Sequence, residues 1–204
     1  MQTKTYAELF ALIQSLCGVV FASVEAPRIK FLINRRALRA YRSSNYWTRF
    51  LKIGEQRDVT SSVIPYSESG LSPIDTFLRV YKQAPYIASS VQEYDIMVTA
   101  NGATIISGDL NPTEAFVTYK AQLVDTYGDG SGEVTAIPAE WYQYMAHGTY
   151  ADYLRAEGQQ EKSALADQEA DMLLQEELIR LDENHTSGLV SSRIFTNANM
   201  QMRY

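Results

Sequence analysis

The spacing of apolar residues predicts helices at both ends of the chain and a different structure between them. Near the N-terminus, Leu9 and Ile13 belong to a run of apolar residues at three- and four-residue intervals, which is the pattern of an amphipathic helix. Thr5 precedes the run and Glu8 lies three residues later, which is the signature of a capping box. We therefore predict a helix over residues 6–16.

A second helix is predicted over residues 27–50. Pro27 suits the first turn of a helix, and Ile29, Ile33 and Ala40 lie on one face. The other face is basic, and no acidic residue occurs between Glu25 and Glu55. Its basic residues are Arg28, Lys30, Arg35, Arg36, Arg39, Arg42, Arg49 and Lys52.

The periodicity changes between about residues 55 and 135. Short β-branched and aromatic runs are separated by proline, glycine and serine, which favours strands joined by turns. Asn101 and Gly102 form the pair preferred in a type I′ hairpin turn. Residues 115–124 alternate between the two sides of a strand. This region predicts a small antiparallel sheet, followed by a flexible surface loop at YGDGSGEVTA.

Helical periodicity returns at Pro138. The helix that follows has an apolar stripe on which Gly148 also lies, so we expect this glycine to permit close packing between helices. Gly158 separates this helix from an acidic one over residues 159–181. The apolar positions of the acidic helix are Leu165, Met172, Leu174, Leu178 and Leu181.

The last segment, residues 184–204, differs in composition from the acidic helix. It contains no acid and has scattered large apolar groups without a helical or strand period. A segment of this kind is predicted to be extended and to become ordered on a partner. A strand or loop folded on its own domain is the alternative. The candidate contact residues are Arg193, Ile194, Phe195, Met200, Met202 and Tyr204.

These elements predict an α+β protein. About four helices form an antiparallel bundle into which a small antiparallel β subdomain is inserted, and an extended C-terminal tail follows. The predicted divisions are residues 1–54 for the N-terminal helices, 55–135 for the insertion, 136–183 for the C-terminal helices and 184–204 for the tail.

Composition narrows the class of protein. The 204 residues are enough for one domain with a sizeable core, and the net charge of −6 argues against binding of nucleic acid over the whole surface. The single cysteine, Cys17, excludes a disulfide framework and is expected to be a small buried apolar group. The N-terminal apolar run is interrupted by polar residues, so we expect neither a signal peptide nor a membrane span.

The sequence contains no recognisable catalytic constellation. His147 and His185 belong to no metal-binding motif, and GDGSG has neither the spacing of a calcium loop nor a helix placed to receive phosphate. The acidic helix has no predicted apolar cleft that would raise the pKa of a carboxyl group. We therefore expect no enzyme activity, no metal and no cofactor.

The opposite charges of the two ends of the chain are the informative feature. Eleven acidic and three basic residues lie between Glu140 and Glu183, whereas the second helix is basic. The basic face could be solvated, could pack against an acidic helix of the same or a neighbouring subunit, or could contact nucleic acid phosphate. The inter-subunit candidates are Arg35, Arg36, Arg39, Arg42, Asp167, Asp171 and Glu176.

Three stretches of the chain resemble the head-to-tail adaptor proteins of tailed bacteriophages. They are TYAELFALIQSLCG with the following APRIKFLINRRALRAYRSSNYW, the strand AFVTYKAQLV, and the proline-led helix with GTYADYL and the acidic helix after it. Together they cover roughly residues 5–181.

The resemblance implies a structural protein of the virion, found at the head–tail interface and in the host cytoplasm during assembly. Members of the family form a ring of twelve subunits beneath the portal after the genome has been packaged. The ring stabilises the packaged head, continues the DNA channel and binds the next tail component, either a nozzle or a stopper. The C-terminal segment of the family commonly docks on the portal, which here implies residues 184–204. Contact with double-stranded genomic DNA would be transient, and no membrane is involved.

A nucleic-acid-binding regulator is the alternative function. It would use the basic helix, residues 28–52, with Arg35, Arg36, Arg39 and Arg42 directed at phosphate.

Overall fold

The computed structural model divides the chain into two compact units. It describes residues 2–87, 92–106 and 112–201, with side chains as far as Glu183. The helical unit consists of Met1–Ser44 and Asp125–Tyr204, and the β unit is Asn45–Val124. The predicted α+β class is confirmed, and the two unit boundaries fall before those predicted at 54/55 and 135/136.

The described part of the helical unit contains four helices and a short two-stranded sheet. The helices are α1 (Tyr6–Cys17), α2 (Ala26–Arg42), α3 (Ala139–Ala156) and α4 (Gln160–Gln201). α1, α2 and α4 all pack against α3. The strands β1 (Thr3–Thr5) and β8 (Ala136–Pro138) pair antiparallel and hold the two parts of the unit together. The side chains at the centre of the core are Leu9, Ile13, Ile29, Ile33, Tyr144 and Met145.

The start of α1 confirms the predicted capping box. The Thr5 hydroxyl accepts a hydrogen bond from the Glu8 backbone N–H at 3.2 Å, and the Thr5 backbone N–H donates to the Glu8 carboxylate at 2.7 Å. Gly18 ends the helix with φ of 69°, a left-handed conformation that glycine adopts at low cost.

The prediction that the second helix continues to Phe50 was wrong, because α2 ends at Arg42. The Ser43 hydroxyl donates a hydrogen bond to the carbonyl of Ala40 at 2.7 Å. Serine competes in this way with the backbone bonds that would continue a helix, and Ser44 and Asn45 share this tendency.

The loop after the β unit is held against α2. The side chain of Asn34 donates to the Tyr127 carbonyl at 2.9 Å and accepts from the Tyr127 backbone N–H at 2.8 Å. Lys30 adds an ion pair to Glu133 at 2.7 Å. The loop predicted to be flexible is therefore tied to the helical unit at both ends.

The β unit contains two three-stranded antiparallel sheets within its described residues. One has the order β2 (Leu51–Asp58), β7 (Glu114–Ala121), β4 (Ile74–Tyr81), and the other has β3 (Val63–Pro65), β6 (Gly102–Ile105), β5 (Ile96–Thr99). The small antiparallel sheet expected from the sequence is confirmed in this general form. The core side chains of the unit include Ile64, Ile74, Phe77, Val80, Ala103, Ala115, Val117 and Tyr119.

The hairpin between β5 and β6 is confirmed, but its turn lies one residue earlier than predicted. Thr99 pairs with Gly102, so the two loop residues are Ala100 and Asn101. Gly102 has φ of 140°, and a Cβ atom at this position would lie 2.0 Å from the carbonyl oxygen of Ile64 on β3. Glycine is thus required here for the close approach of two strands.

A buried arginine organises one side of the β unit. The Arg57 side chain is fully buried, and its guanidinium carbon lies 4.7 Å from the centre of the Tyr119 ring. Its Nη2 donates to the Glu55 carboxylate at 2.9 Å, to the Ser72 carbonyl at 2.6 Å and to the Tyr119 hydroxyl. Arg57 therefore joins β2, β7 and the segment that precedes β4.

The prediction of an extended C-terminal tail was wrong as far as Gln201, because α4 continues to that residue. No proline follows Glu183, and Gly188 is the single glycine, so nothing in the segment stops a helix that has already formed. The sequence interpretation relied on the lack of an apolar period. An apolar period decides whether a helix packs on a neighbour. Whether an existing helix continues depends instead on the absence of residues, such as proline, that interrupt its backbone hydrogen bonds.

Within the described residues, no helix has the length and apolar character needed to span a membrane.

Candidate functional site

The basic face of α2 delivers one arginine into the interior of the helical unit. Arg36 lies seven residues after Ile29 and three after Ile33, which places it on the buried side of the helix, and it is 3% exposed. Its Nε and Nη2 each donate to a carboxylate oxygen of Asp152 on α3 at 2.8 Å. This is a bidentate arginine–carboxylate pair, which fixes both distance and orientation.

A second carboxylate extends the pair to α4. Arg36 Nη1 lies 2.7 Å from Asp167 Oδ1, and Arg155 Nη2 lies 3.1 Å from Asp167 Oδ2. The first of these contacts is poorly aligned for a hydrogen bond, so we treat it as an ion pair, which depends more on distance than on angle. Arg35 Nη2 reaches Asp152 from the solvent side at 2.7 Å. We call these five residues the Arg36 cluster; it links α2, α3 and α4.

Gly148 provides the space for the Arg36 cluster. A Cβ atom at this position of α3 would lie 2.8 Å from Cδ and 3.0 Å from Nε of Arg36. The arginine stem cannot move aside easily, because Asp152 holds its guanidinium. Gly148 thus lies within α3 without breaking it, as predicted, but the expected close approach of two helices is replaced by the side chain of Arg36.

The charges of the Arg36 cluster shift the pKa values of Arg36 and Asp167. Burial alone would lower the pKa of Arg36, but the contacts with Asp152 and Asp167 raise it above its ordinary value. Burial alone would raise the pKa of Asp167, but the contacts and positive charges of Arg36 and Arg155 hold it below its ordinary value. Both groups are therefore charged throughout the physiological range.

Asp167 should contribute an acid-sensitive part of the stability. Because its pKa is lower in the folded than in the unfolded state, its contribution is complete above the unfolded value, about pH 4, and is lost as the pH falls through the folded value. We expect Asp167→Asn to lower the thermal unfolding midpoint at pH 7 and to reduce its dependence on pH below about pH 5. Asp182→Asn, at an exposed position of the same helix, is the control. Parallel pH profiles for wild type and Asp167→Asn would contradict this assignment.

The structure assigns most of the predicted inter-subunit residues to contacts within one chain. Arg36 and Asp167 belong to the cluster, and so does Arg35 through Asp152. Arg39 Nη2 lies 3.1 Å from Asp171 Oδ1, with both side chains about half exposed. Of the three interpretations of the basic face, packing against an acidic helix of the same subunit is thus confirmed for Arg36 and Arg39, whereas Arg35 pairs with Asp152 on α3.

Arg42 and Glu176 remain available as inter-subunit candidates. Both are exposed, and neither forms an ion pair within the part of the chain that the structure describes.

Sequence reasoning missed Asp152, the most important partner of Arg36. A signal was present, because Asp152 lies four residues after Gly148 and seven after Met145, on the buried stripe of α3. An acid on an apolar stripe needs a cation, and the arginine on the buried stripe of α2 supplies it.

The predicted tail contacts cannot be assigned from the side chains. Arg193, Ile194, Phe195 and Met200 lie in α4, but their side chains are outside the described residues. Met202 and Tyr204 lie outside the described residues altogether. Their role stays a prediction.

Reactive groups are scarce in the part of the chain that the structure describes. No group of three or more histidine, cysteine or acidic residues is placed to hold a metal ion there. Burial raises the pKa of Cys17 to about 11, so its thiol is protonated and unreactive at neutral pH. His147 Nδ1 lies 3.4 Å from Glu169 Oε2 at the α3–α4 surface.

Comparison of the chain with protein-family models and with curated proteins finds no match. The similarity to the adaptor family therefore rests on the residues quoted above.

Proposed function

We propose that this protein is a head-to-tail adaptor of a tailed bacteriophage. It forms a ring, of twelve subunits by analogy with the family it resembles, between the portal and the tail. The ring continues the DNA channel and stabilises the packaged head. In this proposal the helices form an antiparallel bundle, the β unit is inserted into it, and the C-terminal part of α4 docks on the portal.

The observation that carries the proposal is the placement of charge on the helical unit. The Arg36 cluster fixes α2, α3 and α4 relative to one another. The outer side of α2 is basic and the outer side of α4 is acidic, with Arg28, Arg42, Glu169 and Glu176 exposed. A rigid unit with opposite charges on two separate faces is suited to contacts in which each subunit binds the next by a different surface.

The carboxylates of the helical unit favour a structural role over catalysis. Asp152, Asp167 and Asp171 are each paired with an arginine. A catalytic acid would instead require an environment that raises its pKa, and the pKa of Asp167 is lowered. We therefore propose that the protein has no enzyme activity and needs no cofactor.

The proposed partners follow from this role. They are further copies of the chain, the portal protein, a downstream nozzle or stopper, and genomic double-stranded DNA in transient contact. No membrane takes part, and the protein resides at the head–tail interface of the virion.

The alternative of a nucleic-acid-binding regulator has less support. Arg35, Arg36 and Arg39 are paired with carboxylates, and α2 ends at Arg42 rather than extending the basic face to residue 52. Paired arginines release few counterions on binding phosphate, so the electrostatic contribution to affinity is small.

Removal of the residues after Glu183 should abolish binding to the portal without unfolding the helical unit. Among the described side chains of α4, Leu174 is the last that is buried, so the truncation removes no described core contact. We expect a helical content reduced only by the missing residues and no retention on immobilised portal rings from the same phage. A full-length Ile194→Asp, Phe195→Asp variant should show the same loss. Retention of the truncated protein at the level of the full chain would refute portal docking by this segment.

A further inference from the structure

The outer face of α4 has a row of exposed large apolar side chains. Leu165, Met172 and Ile179 follow one another at seven-residue intervals and are 68%, 55% and 58% exposed. They lie on the side of the helix opposite Ala166 and Leu174, which are buried in the helical unit. Single exposed apolar residues are ordinary, but a row at heptad spacing is typical of a contact between helices.

The apolar positions of the acidic helix do not all lie on its packing face. Leu165 and Met172 are exposed, and the buried stripe consists of Ser163, Ala166, Ala170 and Leu174. The small residues allow α4 to approach α3 closely, and the Ser163 hydroxyl donates to the Ala151 carbonyl at 2.9 Å. The large apolar residues are left on the outside without a described partner element.

Acidic residues alternate with the apolar row along the same line of α4. All of them are exposed, and they follow the three- and four-residue steps of one helix face. We call this line the α4 seam; it consists of Glu161, Leu165, Glu169, Met172, Glu176, Ile179 and Glu183.

The exposed side of α2 also has apolar residues at a seven-residue interval, and the charged residues between them are basic. Phe31 and Leu38, which are 66% and 38% exposed, lie seven residues apart on the side opposite Ile29 and Ile33. Exposed arginines occur before, between and after them. Arg28 and Arg35 also pair within the chain, with Glu157 at 3.9 Å and Asp152 at 2.7 Å, but both side chains stay about half exposed. We call this line the α2 seam; it consists of Arg28, Phe31, Arg35, Leu38 and Arg42.

The α2 seam is as long as the apolar row of the α4 seam. At about 1.5 Å per residue, the distance from Arg28 to Arg42 and the distance from Leu165 to Ile179 are both about 21 Å. Apolar groups repeat every seven residues in each. An α2 seam laid along an α4 seam would therefore bring apolar groups together and put arginines beside glutamates.

Charge decides which seams can pair. Two α4 seams would bring glutamates together, and two α2 seams would bring arginines together, so each pairing of like with like is repulsive. The seams of one chain cannot meet, because α2 and α4 both pack on α3 by the opposite faces. The combination that remains is the α4 seam of one copy with the α2 seam of another.

We propose that the α4 seam of each subunit binds the α2 seam of a second copy, and that this head-to-tail contact builds the assembly. A contact between two different surfaces leaves one free seam of each kind at the ends, which only ring closure can satisfy. This inference rests on the proposed function for the use of the contact, since a ring needs a heterologous interface. In this proposal Arg36 and Arg39 are no longer inter-subunit residues. The contact is made instead by Phe31, Leu38 and the other residues of the α2 seam.

Two complementary variants test the proposal on the full chain. One carries Phe31→Glu and Leu38→Glu in the α2 seam, and the other carries Leu165→Glu and Met172→Glu in the α4 seam. Val20→Glu, at a position 87% exposed in the helical unit but outside both seams, is the matched control. Circular dichroism first establishes that all three have the helical content and melting behaviour of the wild type.

Sedimentation of the variants, alone and mixed, gives the decisive result. We expect wild type and Val20→Glu to associate progressively with concentration, each double variant to need at least tenfold higher concentration, and an equimolar mixture of the two to stop at dimers. The mixture stops there because it contains one intact pair of seams, and the two altered seams have lost most of the apolar groups that would pack together. The proposal is overturned if the double variants associate like the wild type, if their mixture stays monomeric, or if the wild type is monomeric at about 1 mM.

Binding to portal rings separates this proposal from the proposed function. If both double variants still form rings on the portal, the seams are not the interface although the protein is an adaptor. If the mixture forms dimers but the wild type does not bind the portal, the seam contact is correct and the adaptor function is wrong.

Discussion

Replacing Arg36 by methionine is expected to reduce the free energy of unfolding by about 3–5 kcal/mol. The substitution keeps the apolar stem but leaves the Asp152 carboxylate, 5% exposed, without its bidentate partner. Asp167 loses its contact with α2 at the same time. Urea unfolding followed by far-ultraviolet circular dichroism measures the loss.

Arg39→Met is the matched control for Arg36→Met. Arg39 lies on the same helix and also pairs with an aspartate, but its side chain is 53% exposed, so the loss should be about 0–1 kcal/mol. Adding Asp152→Leu to Arg36→Met should restore part of the stability, because it removes the buried carboxylate that has lost its bidentate partner and keeps only the exposed Arg35 and Arg155. Equal losses for Arg36→Met and Arg39→Met would show that the Arg36 cluster does not hold the helices together.

Replacing Arg57 by methionine should destabilise the β unit by about 3 kcal/mol. The change removes the donor that joins Glu55, Tyr119 and the Ser72 carbonyl. Burial, followed by the hydrogen bond to Glu55, raises the pKa of Tyr119 to about 12, so the phenol is neutral at pH 7 and offers the Glu55 carboxylate a hydrogen bond but no positive charge. Hydrogen exchange of peptides from β7, measured by mass spectrometry, reports this unit separately from the helices.

Arg79→Met provides the comparison in the same unit. Arg79 pairs with Glu93 at 3.2 Å, but its side chain is 63% exposed, and its replacement should cost less than about 1 kcal/mol. If exchange in β7 accelerates equally in both variants, Arg57 is not the residue that organises the unit.

Local signals in the sequence were sufficient to predict the start of α1 and the presence of the β5–β6 hairpin. Thr5 and Glu8 form their capping box within the first turn of the helix. Asn101 and Gly102 lie next to each other at the hairpin turn, so both signals involve only neighbouring residues. The turn itself lies one residue earlier because Gly102 must accommodate Ile64 of β3. That requirement comes from a strand remote in sequence and is therefore invisible to a local rule.

The buried face of α4 could not be identified from apolar size. Ala166 and Ala170 are buried, since close packing against α3 requires small side chains, and Leu165 is exposed. The α4 seam therefore becomes visible only when the buried stripe is known.

Burial of Arg36 could not be predicted from α2 alone. An arginine on a helix with many other basic residues is expected to be solvated, and its partner Asp152 lies 116 residues away. The pair is visible only when both helices are placed on each other. This is also why the predicted inter-subunit set contained Arg36, which is inaccessible to another copy.

Electron microscopy of the protein mixed with portal rings from the same phage tests the adaptor function most directly. The account predicts an additional ring of twelve copies stacked coaxially on the portal, with its channel continuous with that of the portal. Portal rings that remain unchanged in the presence of excess protein, or subunits attached without forming a closed ring, would contradict it.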